Sequence, residues 1–222
     1  MPKKPFSAEE IAWQRERIMD SAATVMADLG FHALSMRKLA SALSMTASNI
    51  YNYFPGKESL LLNIRRRGFE LLFQQIRQPV AIQLPAAELL EQFVRQLIGF
   101  CRSRPGYYQL MFQPPRSSVG TEPLTDEDQG VAMQLDRLQE EWQRHTLVLL
   151  EDVSPALASR SEAEKRRVAL FFLTSIHGLV DCYHYRSLPM LMNGLELIPD
   201  DVLQPHIHWL LSALDQPVSA LA

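Results

Sequence analysis

Two short capped helices with almost nothing between them constrain this chain most. Ser35 opens an apolar run through Leu39, Ala40 and Leu43, Thr46 opens another through Ile50 and Phe54, and only Ser44 and Met45 lie between the runs. A serine or threonine side chain accepts a hydrogen bond from a first-turn amide, so both residues are natural helix starts. With so short a connection the two helices must cross closely, and Ala40 is small enough to let them.

Helical periodicity continues on both sides. Ser7 with Glu10 makes a capping box for a first helix from about Ala8 to Leu29, carrying Ile11, Ile18, Ala22, Val25 and Leu29, and Gly30 supplies a left-handed stop. Pro55-Gly56 breaks the chain, after which Leu60, Leu61, Ile64, Phe69, Leu72, Phe73 and Ile76 predict a long helix ending before Pro79. Pro85 is expected as the first helical residue of a stretch through Leu89, Leu90, Phe93, Leu97 and Phe100 that stops at Arg104-Pro105, and a short helix follows through Tyr107, Tyr108 and Met111. Residues 114–125, dominated by Pro, Ser, Gly and Thr, read as one long loop and as the segment expected to be disordered. Thr125 with Asp128 starts a long helix to about Asp152, Ser161 with Glu164 another to about Ser187, and Pro199 a last one carrying Val202, Ile207, Leu210, Leu211 and Leu214. The fold class is all-α: a three-helix helix-turn-helix head over residues 1–67 and a helical bundle over residues 68–222.

Charge bears on partners. The formal charge of -3 hides an asymmetry, since residues 1–67 carry 10 Lys/Arg against 6 Asp/Glu and residues 68–222 carry 12 against 19. A basic head on an acidic body suits a polyanion such as DNA. No apolar run approaches the roughly 20 residues needed to cross a bilayer. The segment Met1–Phe6 leads into charged residues with no apolar core or cleavage site, so a cytoplasmic protein with a short frayed arm and no membrane partner is expected. Cys101 and Cys182 lie in apolar surroundings without metal-ligand spacing, which argues against a disulfide framework or a zinc finger, and no cofactor is expected.

A helix-turn-helix lays one helix across the DNA backbone and presents a second to base edges in the major groove. With Leu39, Ala40, Ile50 and Phe54 in the core, Arg37, Lys38, Ala47, Ser48, Asn49 and Asn52 fall on outer faces. Asparagine can pair with adenine and serine with several bases, while Ala47 offers only a methyl contact. The stretch SMRKLASALSMTASNIYNYFPGKESLL, Ser35 to Leu61, resembles the signature of the TetR family of repressors, with Tyr51, Tyr53, Phe54, Lys57, Glu58 and Leu61 where that pattern expects them. The resemblance covers roughly residues 10–65 and implies a homodimer bound to double-stranded operator DNA. It implies phosphate contacts from Thr46, Tyr51, Tyr53 and Lys57, base contacts from Asn49 and Asn52, and Arg37 and Lys38 beside the backbone. Lys57 also begins a helix, where free amides and the helix dipole favour a phosphate. Phe54 belongs to the core, and Tyr51 and Tyr53 can serve core and phosphate alike. Where the family often has glycine in the turn this chain has Ser44, so the backbone there must avoid or tolerate a left-handed conformation.

In that family the C-terminal bundle dimerises through its last long helices and holds an inducer. The resemblance therefore implies that the helices near residues 161–187 and 200–214 pair with their copies as a four-helix interface, and that a small-molecule effector binds the body. Arg104–Phe112 together with Ile176-His177-Gly178-Leu179 is similar to a subgroup with a Trp-His-Gly motif, with Ile176 in the tryptophan's place. Candidates to line an apolar cavity are Phe69, Phe73, Phe93, Phe100, Cys101, Tyr108, Met111, Met133, Trp142, Phe172 and His177, against the plainer reading that such a stripe is core. His177, Asp181 and His184 share one helix face and could polarise a ligand, but with no fourth ligand in view no metal is expected. His206 and His208 fall on different faces. Two alternatives stay open. One is a helical enzyme using His177, Asp181 and Cys101 or Cys182, although no nucleophile motif, Gly-rich phosphate loop or pair of acids supports it. The other is a DNA-binding protein without inducer, with salt-sensitive but sequence-indifferent affinity.

Overall fold

The structure, a computed structural model, describes residues 7–77, 84–114, 125–184 and 199–214. The helices are α1 (Ala8–Leu29), α2 (Met36–Ala42), α3 (Ala47–Tyr51), α4 (Lys57–Ile76), α5 (Ala86–Ser103), α6 (Pro105–Phe112), α7 (Asp126–Val153), α8 (Pro155–Ala158), α9 (Glu162–His184) and α10 (Pro199–Leu214). The fold is all-α, as expected, and among the described residues there is no strand.

Most helix starts rest on the caps read from sequence. Ser7 Oγ accepts from the Glu10 amide at 3.2 Å while Glu10 Oε2 accepts from the Ser7 amide at 2.7 Å. Ser35 and Thr46 accept from the amides of Lys38 and Asn49, each at 3.2 Å. Gly30 ends α1 with φ 81°, its N–H donated to the Met26 carbonyl. Three details differ from expectation. α3 ends at Tyr51, short of two turns, and Phe54 arrives on the following turn with its amide on the Ile50 carbonyl at 3.1 Å. Pro55 comes next, and a residue before proline is pushed out of helical geometry. Pro85 precedes α5 rather than opening it, and its carbonyl accepts from Leu89 at 3.0 Å. α8, capped by Ser154 with Pro155 in its first turn, is too short to show a periodicity. The expected arm, nearly all of the expected loop at 114–125, and the end of α9 expected at Ser187 lie outside the described residues.

By their contacts the residues form two units: one runs through Phe73 and takes in Ser103–Leu138, the other comprises Gln74–Arg102 and the chain from Gln139 onward. In the first unit α2 packs on α3 and α1 on α6. Ile18, Leu39, Ile50, Phe54, Leu60, Ile64 and Leu72 are wholly buried there, and each such side chain contributes roughly 1.5–3 kcal/mol. The approach of α6 to α1 is close enough to require glycine: a Cβ on Gly106 would stand 1.9 Å from the Ala23 carbonyl oxygen. Beside it the Tyr107 hydroxyl donates to Asp20 Oδ1 at 2.6 Å and accepts from Arg67 Nε at 3.1 Å, and Arg67 pairs with Glu16 at 2.6 Å. Burial, reinforced by the bond to Asp20, pushes the Tyr107 phenol up from its ordinary pKa. In the second unit Phe93, Leu97, Phe100, Leu150, Phe172, Ile176, Leu203 and Ile207 make the core.

Candidate nucleic-acid interface

The candidate surface arises because each of the two short helices buries one face. Met36, Leu39 and Ala40 of α2, Ile50 of α3 and Phe54 just beyond are buried. Arg37, Lys38, Thr46, Ser48, Asn49, Tyr51 and Asn52 are left exposed, and Ala47 is half-buried. Arg37 and Lys38 occupy the first turn of α2, and Ala47, Ser48 and Asn49 the first turn of α3. The two tyrosines divide: Tyr51 is 49% exposed, whereas Tyr53 is 8% exposed and packs in the head, with little surface left for a phosphate. Lys57 opens α4 with its ammonium 4.4 Å from the centroid of the Phe31 ring, a cation–π arrangement. Partial burial lowers its pKa, with Glu58 acting in the opposite sense.

The turn between α2 and α3 takes the left-handed conformation at Ser44, with φ 54°. Its amide donates to the Ser41 carbonyl at 3.1 Å and the Met45 amide to the Ala40 carbonyl at 2.8 Å. This pair of bonds is the Schellman closure that usually carries glycine.

Arginines of α1 hold both helices from behind. Arg17 Nη2 donates to the Leu43 carbonyl, at the end of α2, at 3.3 Å, and Arg15 Nη1 donates to the Tyr53 carbonyl, just past α3, at 2.9 Å. Such carbonyls have no partner within their own helix. Sequence reading passed over both arginines, because their partners lie 26 and 38 residues away and no local pattern marks them.

The ligand-pocket candidates fall into two clusters, one in each unit. In the first unit Phe69, Phe73, Tyr108 and Met111 are buried, with Phe112 edge-on to Phe69 at 5.7 Å and tilted against Tyr108 at 5.1 Å. Met133 of that unit stands apart, 59% exposed. In the second unit Phe93, Phe100, Cys101, Trp142 and Phe172 are buried, and Phe93 stacks at a tilt on Trp142 at 5.1 Å. His177 is half-buried there. Burial alone pulls its pKa down to about 4, so its imidazole is neutral at pH 7. Burial first, then the charge of Asp181, pushes the Cys101 thiol up to about 12. The side chain of His184 lies outside the described residues. His206 bonds Ser175 at 3.0 Å, whereas His208 is exposed. Among the described residues no three His, Cys, Asp or Glu side chains gather as a metal site, and no helix is long and apolar enough to cross a membrane.

Residues 18–64 match the family model of bacterial regulatory proteins, tetR family. Over 81 residues the chain is 33% identical to the HTH-type transcriptional repressor KstR2 of Rhodococcus jostii strain RHA1, a match spanning 36% of this chain and 40% of that protein. The chain therefore matches less than half the length of that relative. AibR, in its complex with isovaleryl coenzyme A and operator DNA, has a similar fold, with TM-score 0.64 and 18% identity over 89% of this chain and 98% of AibR. The TetR family transcriptional regulator PfmR from Thermus thermophilus gives TM-score 0.62 and 17% identity over 90% of this chain and 100% of PfmR. The likeness of fold extends over most of the chain, well beyond residues 18–64.

Proposed function

We propose, from the match of residues 18–64 to the family model of bacterial regulatory proteins, tetR family, that the chain is a transcriptional repressor that binds a palindromic operator as a homodimer and responds to a small apolar molecule held among its C-terminal helices. The observation that carries this reading is the exposed set Arg37, Lys38, Thr46, Ser48, Asn49, Tyr51 and Asn52 on helices whose other faces are buried. Cationic and hydroxyl groups serve phosphates and fix register, while asparagines serve base edges. Repression as the sense of regulation is supported by the similarity to KstR2, which is a repressor. A homodimer is supported by apolar side chains exposed on α9 and α10, and an effector by the aromatic clusters of the body and by the isovaleryl coenzyme A in AibR. Such a regulator acts in the cytoplasm, where its operator is. The helical-enzyme reading loses Cys101 as a nucleophile, because a thiol with a pKa of about 12 is not a thiolate at neutral pH.

Selection of genomic DNA fragments on the purified protein at moderate salt, followed by sequencing of what is retained, tests the proposal. Enrichment of a palindromic site is the expected outcome. Uniform retention that fades with added salt would replace a specific repressor with a sequence-indifferent DNA-binding protein.

A further inference from the structure

One guanidinium joins the end of the reading helix to α7, a helix that begins far along the chain. Arg15 Nη1 donates to the Tyr53 carbonyl at 2.9 Å, and Nη2 donates to Asn63 Oδ1 at 3.3 Å. The same guanidinium lies 4.6 Å from the centroid of the Phe54 ring and pairs with Glu127 at 2.9 Å. Asn63, 2% exposed, turns its amide nitrogen to the Ser59 carbonyl at 2.9 Å. The Ser59 hydroxyl in turn donates to Asp128 Oδ1 at 2.6 Å. Asp128 is only 5% exposed, and its other oxygen accepts from the Thr125 hydroxyl at 2.9 Å. Acids in a first helical turn ordinarily answer the helix dipole and stay in water. Here Asp128 is instead buried against Ser59 of α4, and Glu127, though largely exposed, pairs with Arg15 of α1.

A planar guanidinium supplies several donors in a fixed fork, so it holds a carbonyl and an amide oxygen in set directions, which the rotatable donors of an ammonium do not. Burying a carboxylate costs stability unless hydrogen bonds answer it, and Asp128 has hydroxyl donors on both oxygens. Breaking either hold therefore loosens the backbone at Tyr53 and Phe54. We propose that Arg15 is a positioning residue for the reading helix, and that the first turn of α7, through Glu127 and Asp128, latches α1 and α4 so that displacing the start of α7 re-aims residues 51–54. The inference rests on the DNA-binding reading for its functional meaning but not for its test.

The test is amide hydrogen exchange on the full chain without DNA, comparing wild type with Arg15→Lys, Asp128→Asn and Glu127→Gln. Glu127 is largely exposed, so its variant keeps the fold even where Asp128→Asn does not. The amides of Tyr53 and Phe54 both donate to the Ile50 carbonyl and are the reporters. Arg15→Lys is expected to speed their exchange about tenfold, and Glu127→Gln by a smaller factor in the same direction, with α9 unchanged. Unchanged protection at residues 53 and 54 in Arg15→Lys and Glu127→Gln overturns the latch. A uniform rise that includes α9 also overturns it, leaving Arg15 a stabilising residue only. Failure of the DNA-binding reading shows separately, as a wild-type chain that retains no preferred sequence. Where an operator is retained, Arg15→Lys should weaken its binding without changing the salt slope, because no phosphate contact is lost.

Discussion

Ser44 is the non-glycine residue that holds a positive φ, 54°, among the described residues. An L-residue with a Cβ pays roughly 1 kcal/mol or more for that conformation. Ser44→Gly removes the strain but frees the unfolded chain, so a net gain of about 0.5–1 kcal/mol is expected, visible as a raised thermal midpoint with DNA binding retained. The sequence flagged this residue because a glycine is customary there, yet could not say which way the backbone would go; the Schellman bonds of Ser44 and Met45 decide it. Three further variants separate phosphate contact from base readout. Lys57→Ala should weaken binding to every DNA alike and flatten the salt dependence, whereas Asn49→Ala and Asn52→Ala should change preference at particular bases. Equal losses on all sequences, measured by titration of an operator and its point variants, would remove the asparagines from the readout.

Elements were legible wherever a cap and a period coincided. Ser7, Ser35, Thr46, Thr125 and Ser161 each stand just before an observed helix, because capping is a contest settled within four residues. What joins the elements was not legible: the fork of Arg15 and the fit of Gly106 against Ala23 depend on chain segments that no periodicity relates. Gly106 shows what such a joint is worth. A methyl group 1.9 Å from a backbone oxygen cannot be relieved by a rotamer change, so α6 or α1 must move. Gly106→Ala should cost about 3 kcal/mol or more in denaturant unfolding, and a loss below about 1 kcal/mol would mean that the two helices do not meet this closely. α9 carries a pH term of its own. The His177 pKa falls to about 4 in the folded chain from 6.5, so below pH 6.5 the unfolded chain takes up the proton first. Stability is complete above pH 6.5 and is lost as the pH drops toward 4, by roughly 2–3 kcal/mol from this residue. His177→Gln should flatten thermal midpoints between those pH values; an unchanged slope would assign the acid sensitivity elsewhere.

The proposed palindrome requires two heads, and exposed apolar side chains of the second unit are the face we propose for a copy of this chain. Leu170 and Phe171 on α9 are 58% and 54% exposed, and Trp209 on α10 is 63% exposed. Thr174 and Gly178 follow on α9 at helical spacing and are also exposed, and a Cβ added to Gly178 would meet nothing within 4 Å. α9 and α10 pack together, with His206 bonded to Ser175 between them. Large apolar side chains exposed on two neighbouring helices favour cover by a partner, and a standard-size specific interface buries about 1,600 Å² in all. Periodicity alone does not expose this face, since an adjacent pair such as Leu170 and Phe171 has the same pattern whether it meets a core or solvent. Phe171→Glu places a charge where apolar contact is needed and should turn a sedimenting dimer into a monomer at micromolar concentration, while leaving the helical content intact. The same variant should lose affinity for the palindrome but keep weak, salt-sensitive binding to a half-site, because each head still reads alone. A Phe171→Glu chain that sediments as a dimer would move the interface off this face, and a wild-type chain that sediments as a monomer would leave the palindrome without a reader.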